Sequence, residues 1–193
     1  MKQFLSLTIS AAALIIAGTW KMAAQELPAG FKSGYIITTD GTRQEGLIKE
    51  SFKSKASFVF QATTGKKVTY GGNGVKEVSI GGISYISYVN DFFKVISTGE
   101  KASLLQKMSD ATGKIIYNGT DAAGISSGTE GRINDYFIKT ATTQSFTLVT
   151  KANFNEVIAT AFGDCTAVAE SAKSKQLNYQ EIEKIIKQYN ECK

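Results

Sequence analysis

With 193 residues and no histidine, this chain is long enough for one domain with a real core but lacks the commonest general base and zinc ligand. Ser-His-Asp and Cys-His catalysis are therefore excluded, and two cysteines are too few to hold a metal by themselves. The formal charge of +5 comes from lysines scattered among acids, and no recognition motif joins Lys53, Lys55, Lys66 and Lys67, so nucleic acid is not an expected partner.

Residues 1–24 read as a secretory signal peptide. Lys2 gives the charged start, Phe4 to Gly18 is an apolar and small-residue run, and Ala23-Ala24 offers a cleavage point before Gln25, although Met22 stands where a small residue is usual. The run is too short and interrupted for a transmembrane helix, which needs about 20 apolar residues. No cysteine follows it to take a lipid anchor. The expectation is a single domain over 25–193, exported to the periplasm, outer envelope or extracellular space. Cleavage removes Lys2 and Lys21 and no acid, which takes the charge from +5 to +3.

Beyond Pro28, the only proline, residues 34–49 hold two β-prone runs around Asp40-Gly41, residues that tolerate the positive φ of a tight hairpin turn. Lys55 to Ala62 and Lys66 to Tyr70, around Thr64-Gly65, spell a second hairpin. The order of residues 34–80 is similar to the five-strand spelling of small SH3-like or Sm-like barrels. Val75 to Met108 then carries four short runs rich in Val, Ile, Tyr and Phe, separated by Gly-Gly, Asn-Asp and Thr-Gly-Glu, which spells a β-meander. Ile83, Tyr85 and Val89 point to one face of the second run and Ile86 and Tyr88 to the other, while Phe93 and Val95 oppose Phe92 and Ile96 in the third. Apolar groups on both faces predict cover on both sides. Lys114 to Tyr117 predicts another strand, 118–131 a long glycine-rich loop of high mobility, and 135–141 with 145–150 a last hairpin.

From residue 153 the period changes to that of helices. Asn153 with Glu156 spells a capping box ahead of the stripe Phe154, Val157, Ile158, Ala161 and Phe162, and Gly163 suits a left-handed stop. Asp164 suits the cap of a second helix, and Asn178 with Glu181 that of a third striped by Ile182, Ile185, Ile186 and Tyr189. The fold class is α+β: an antiparallel meander, as a bent sheet or small barrel or sandwich, covered by a helical segment over about 153–192.

The opening GYIITTDGTRQEGLIK, the run DFFKVISTG with Leu104 after it, DYFIK, and a tail with Asp164-Cys165 and Tyr189-Asn190 make the chain similar to a group of small exported proteins common in Bacteroidota. That resemblance implies a β-rich exported protein with a helical tail. It implies no reaction, because the group has no established activity.

Catalytic motifs are missing. No lysine has a serine three residues before it, and neither Gly65-Lys66 nor Gly113-Lys114 has a glycine five before it. No catalytic, cofactor-binding or metal-binding residue is assigned, and no cofactor is expected. Carboxylates are the remaining chemistry: Asp121, Glu130 and Asp135 flank the glycine-rich loop and form a candidate ligand site, as a paired-carboxylate hydrolase, a sugar-binding loop or a loose Ca²⁺ site, against ordinary turn duties. The preferred expectation is a non-enzymatic binding or interaction protein with an envelope or extracellular partner. The carboxylate site and a carrier of an apolar ligand are the alternatives.

Cys165 and Cys192 are the only cysteines. In an oxidising compartment such a pair forms a disulfide, and an antiparallel hairpin of the last two helices would bring the start of one beside the end of the other. Two buried thiols are the alternative. A redox role would usually show Cys-x-x-Cys, which is absent.

Overall fold

The computed structural model describes residues 27–118, 121–143 and 145–192. The expected signal segment 1–24 and its expected cleavage point lie outside the described residues. Twelve strands and four α-helices follow in order: β1 (Lys32–Thr38), β2 (Arg43–Ser51), α1 (Phe52–Lys55), β3 (Ser57–Ala62), β4 (Lys67–Gly71), β5 (Val75–Ile80), β6 (Ile83–Tyr88), β7 (Asp91–Ser97), β8 (Ala102–Lys107), β9 (Ile115–Asn118), β10 (Asp121–Ile125), β11 (Tyr136–Thr140), β12 (Thr147–Val149), α2 (Phe154–Ala161), α3 (Thr166–Lys173) and α4 (Ile182–Asn190).

The predicted turns form. Asp40 Oδ1 accepts from Thr42 N at 2.9 Å, Gly41 takes φ +91°, and β1 pairs with β2. Ten strands make one open, wholly antiparallel sheet in the order β12-β11-β8-β7-β6-β5-β1-β2-β3-β4, and β9 and β10 pair apart from it. β1 therefore lies between β2 and β5, with Gly34 opposite Gly46 on one side and Ile80 on the other. The fold is α+β, with α2, α3 and α4 gathered at the C-terminal end and only the single turn of α1 among the strands.

Alternation along these registers sorts the side chains. Ile36, Ile48, Phe58, Phe60, Val78, Ile80, Tyr85 and Phe92 share one face, where Phe52 of α1 stacks on Phe92 at 4.4 Å between ring centroids. Farther along the same face, Ala102, Leu104, Ile138 and Val149 pack beneath the helices, against Phe154, Ile158, Phe162, Val168, Ile182, Ile185 and Ile186. Burying the three isoleucines of α4 contributes roughly 2 kcal/mol each before ordering costs. The opposite face carries Phe93, Leu105 and Phe137 under Ile86, Tyr88, Val95, Phe146 and Leu148. Phe146 leads into β12 yet stacks on Tyr88 of β6 at 4.1 Å, with three strands between them in the sheet order, so the sheet curls over this cluster. β7 is thus covered on both faces, by helices and core on one side and by the sheet's own aromatic side chains on the other.

Asn190 fixes the tail to the sheet, and a disulfide ties the start of α3 to the end of α4 within the tail. Asn190 Oδ1 accepts from Lys101 N and Ala102 N at 3.0 and 2.9 Å, and its Nδ2 donates to Ala102 O at 2.9 Å. Cys165 and Cys192 are joined with their Cα atoms 6.0 Å apart, as the hairpin argument expects.

Local details depart from the sequence reading. Val89 is not on β6 but in the turn, at φ +45°. Asn153 stands at the N-cap of α2 as expected, but its side chain makes no cap bond; its Oδ1 accepts from Thr150 N at 2.6 Å, so the preceding turn holds the group that the capping box needs. Cys165, not Asp164, precedes α3, Gly163 is not left-handed, and Asn178 caps a 3-10 turn (Tyr179–Glu181) that leads into α4. The region 118–131 is not one loop: Asp121–Ile125 forms β10, with Ala122 opposite Tyr117 and Ile125 opposite Ile115. Two alanines and a glycine gave no strand signal. The pairing comes from the partner strand, whose propensity is high.

Candidate functional site

The three carboxylates singled out in the sequence take different places. Asp121 opens β10, and its side chain lies outside what the structure describes. Asp135 Oδ2 accepts from Arg132 N at 2.7 Å, a turn duty. Glu130 is exposed, and the fold uses its main-chain carbonyl. Among the described residues, no group of three acidic, cysteine or histidine side chains gathers to hold a metal.

The second half of the glycine-rich segment, Ser126 to Gly131, instead encloses a charge pair that the sequence reading missed. Asp91 and Lys107 point to the same side of β7 and β8 as Phe93 and Leu105, because they stand two residues away along each strand. Both are fully buried, with Lys107 Nζ 3.2 Å from Asp91 Oδ2. The ammonium donates to the carbonyls of Thr129, Glu130 and Gly131 at 2.7, 3.1 and 3.2 Å. Asp91 accepts from Ser109 Oγ, Ala111 N, Thr129 N and Thr129 Oγ1 at 2.7–2.9 Å. A Cβ on Gly128 would lie 2.6 Å from Thr112 Oγ1, so glycine lets the segment close over the pair. Every strong partner is internal. This is a structural clamp, with neither group free to meet a ligand.

Another constellation is open. On the inner face at one end of the sheet, Lys32 stands opposite Ile48 across β1 and β2, Ile80 opposite Ile83 across β5 and β6, and Glu50 and Tyr85 follow two residues on from Ile48 and Ile83. With Gly30 these side chains line a hollow of about 190 Å³. Ile48 and Ile80 make its floor, and Ile83, 39% exposed, makes its lip. Tyr85 is only 7% exposed, and its hydroxyl, which no protein group pairs among the described residues, is not sealed off but reaches solvent. Burial first, and the Glu50 carboxylate next, push its pKa above the ordinary phenol value, so it remains a neutral donor at physiological pH. Phe52 fixes the ring, edge to face at 5.0 Å, and Glu50 Oε1 accepts from Phe52 N at 3.3 Å. Lys32 runs past Gly81, where a Cβ would sit 3.3 Å from its Cδ, and neither Lys32 nor Glu50 joins an ion pair among the described residues.

No protein-family model, curated protein or solved structure matches this chain.

A larger groove, about 710 Å³, runs between the end of β7 and the outer side of α4, past Ser97, Glu183, Lys184, Lys187 and Asn190. Ser97 Oγ is buried there without a partner. That lining holds no aliphatic or aromatic residue, so the groove has no apolar floor on which to seat a ligand. The hollow at Tyr85 combines an apolar floor, a fixed ring and a donor left free, the features of a small-molecule site. Sequence reasoning missed it because its six side chains share a face only through two long-range registers.

Proposed function

We propose that this protein is an exported, non-enzymatic binding protein that takes a small ligand in the hollow at Tyr85. The observation that carries this reading is the Tyr85 hydroxyl, which has no protein partner among the described residues and reaches solvent beside an apolar floor. A ligand acceptor would take the place of water on this donor while its apolar part leaves solvent over Ile48 and Ile80. The signal-like start and the Cys165–Cys192 disulfide support export. The partner is then a molecule met in the envelope or outside the cell.

The test uses a neutral probe small enough for the hollow, 3-methylbutan-1-ol, titrated into the isotope-labelled protein and followed by amide NMR. Saturable shifts at Ile80, Ile83 and Tyr85 are expected, and they should vanish in Ile83→Trp, whose ring fills the lip. Unchanged spectra, or equal shifts in Ile83→Trp, would refute the reading. Detection of a processed chain that begins at Gln25 in the exported fraction tests the compartment.

A further inference from the structure

We infer that the ligand class of this hollow is a free α-amino acid with a branched aliphatic side chain, an inference that rests on the binding reading above. Size sets the first limit. Drug-sized ligands occupy about 300–1,000 Å³, and the hollow offers about 190 Å³, so its occupant is a small molecule. Its floor sets the second. Ile48 and Ile80, with Ile83 at the lip, favour a short aliphatic group over a planar polar one.

The rim supplies the third limit and decides the class. Lys32 pairs with Ile48 across the β1–β2 ladder, and Glu50 lies two residues farther along β2 on the same face. Such diagonal positions are about 7 Å apart. They put an ammonium and a carboxylate on two sides of one opening, unpaired with each other. A ligand with one charge satisfies one of these groups and faces the other with nothing, or with repulsion. An α-amino acid carries both charges on one carbon, ahead of its side chain. Its carboxylate meets Lys32, its ammonium meets Glu50, and the aliphatic group enters toward the isoleucines. The Tyr85 hydroxyl then donates to the carboxylate as well. No bond is made or broken.

The purified protein is titrated by amide NMR with four isosteric probes: L-leucine, 3-methylbutylamine without the carboxylate, 4-methylpentanoate without the ammonium, and 3-methylbutan-1-ol without either charge. L-Leucine is expected to bind at least tenfold more tightly than each of the other three. Lys32→Gln should bring leucine down to the level of the amine, and Glu50→Gln down to that of the carboxylate. Both side chains are exposed, so neither change threatens the fold, and an otherwise unchanged spectrum verifies that. Binding of either singly charged probe within tenfold of leucine would overturn the inference. If the alcohol binds and leucine binds no better, the amino-acid class fails while the binding reading stands. If no probe moves Ile80, Ile83 or Tyr85, both fail.

Discussion

Replacing Lys107 by methionine removes one charge from the buried clamp and leaves the carbonyls of Thr129, Glu130 and Gly131 without their donor. Breaking a buried ion pair from one side costs about 3–5 kcal/mol, a large part of the 5–15 kcal/mol that typical domains possess. For a chain of this length that corresponds to a fall in Tm on the order of 10 °C. Buried pairs in general recover when both partners become apolar. This one should not, because Asp91 also accepts from the main-chain N–H groups of Ala111 and Thr129, and each stranded donor costs about 1–3 kcal/mol. Lys107→Met combined with Asp91→Leu should therefore be no more stable than Lys107→Met alone. Urea unfolding measures the free energies, and hydrogen exchange locates the damage. The amides of Ser126 and Thr129, bonded to Lys114 O and Asp91 Oδ2, should exchange slowly in the wild type and fast in Lys107→Met while β6 and β7 stay protected. A loss below about 1 kcal/mol, or a double variant restored to wild-type stability, would refute the account of the clamp.

Thiol titration of the unfolded, unreduced protein should find no reactive thiol, and changing Cys165 and Cys192 together to serine should cost roughly 3–4 kcal/mol through the freer unfolded chain. Asn190→Ala should cost about 2–4 kcal/mol, since it removes three bonds to the main chain of Lys101 and Ala102, and exchange at those two amides should accelerate. Tyr189 is held at about 12 by burial first and by Asp164 next, so the fold favours its neutral form. Stability from this group is fully present below the ordinary phenol value near 10 and is lost as pH rises from there through about 12. A pH series of unfolding midpoints should show that alkaline fall reduced in Tyr189→Phe.

Legibility in the sequence followed locality. Asp40-Gly41 announces its hairpin through backbone preference, and the stripe Ile182, Ile185, Ile186 and Tyr189 announces α4 through period, because both signals span a few residues. The cysteine pair was readable because the chain has only two cysteines and the lengths of the last two helices leave few arrangements. Asp91 and Lys107 were silent: an acid after Asn90 resembles a turn residue, and nothing near Lys107 says that Thr129 to Gly131 will fold over it. The hollow was silent for the same reason. Lys32, Glu50 and Tyr85 meet only after β1 has paired with β2 and with β5, and their spacing along the chain carries no trace of that. β10 was hidden differently, since its own residues are poor strand formers.

The position of β1 between β2 and β5 makes the large sheet two meanders joined at a single seam. One runs from β1 to β4, the other from β5 through β8 to β11 and β12, and they meet only where Gly34 to Thr38 lies along Val75 to Ile80. Every other pairing in the large sheet joins strands consecutive in the chain, except β8 with β11, which the β9–β10 hairpin separates. The seam must form across the whole of β2, β3 and β4, so it closes late and is the natural line of parting under load. Lys32, Ile48 and Glu50 stand on one side of it, and Ile80, Ile83 and Tyr85 on the other. Whatever occupies the hollow bridges the two meanders, and its binding energy is added to the strength of the joint.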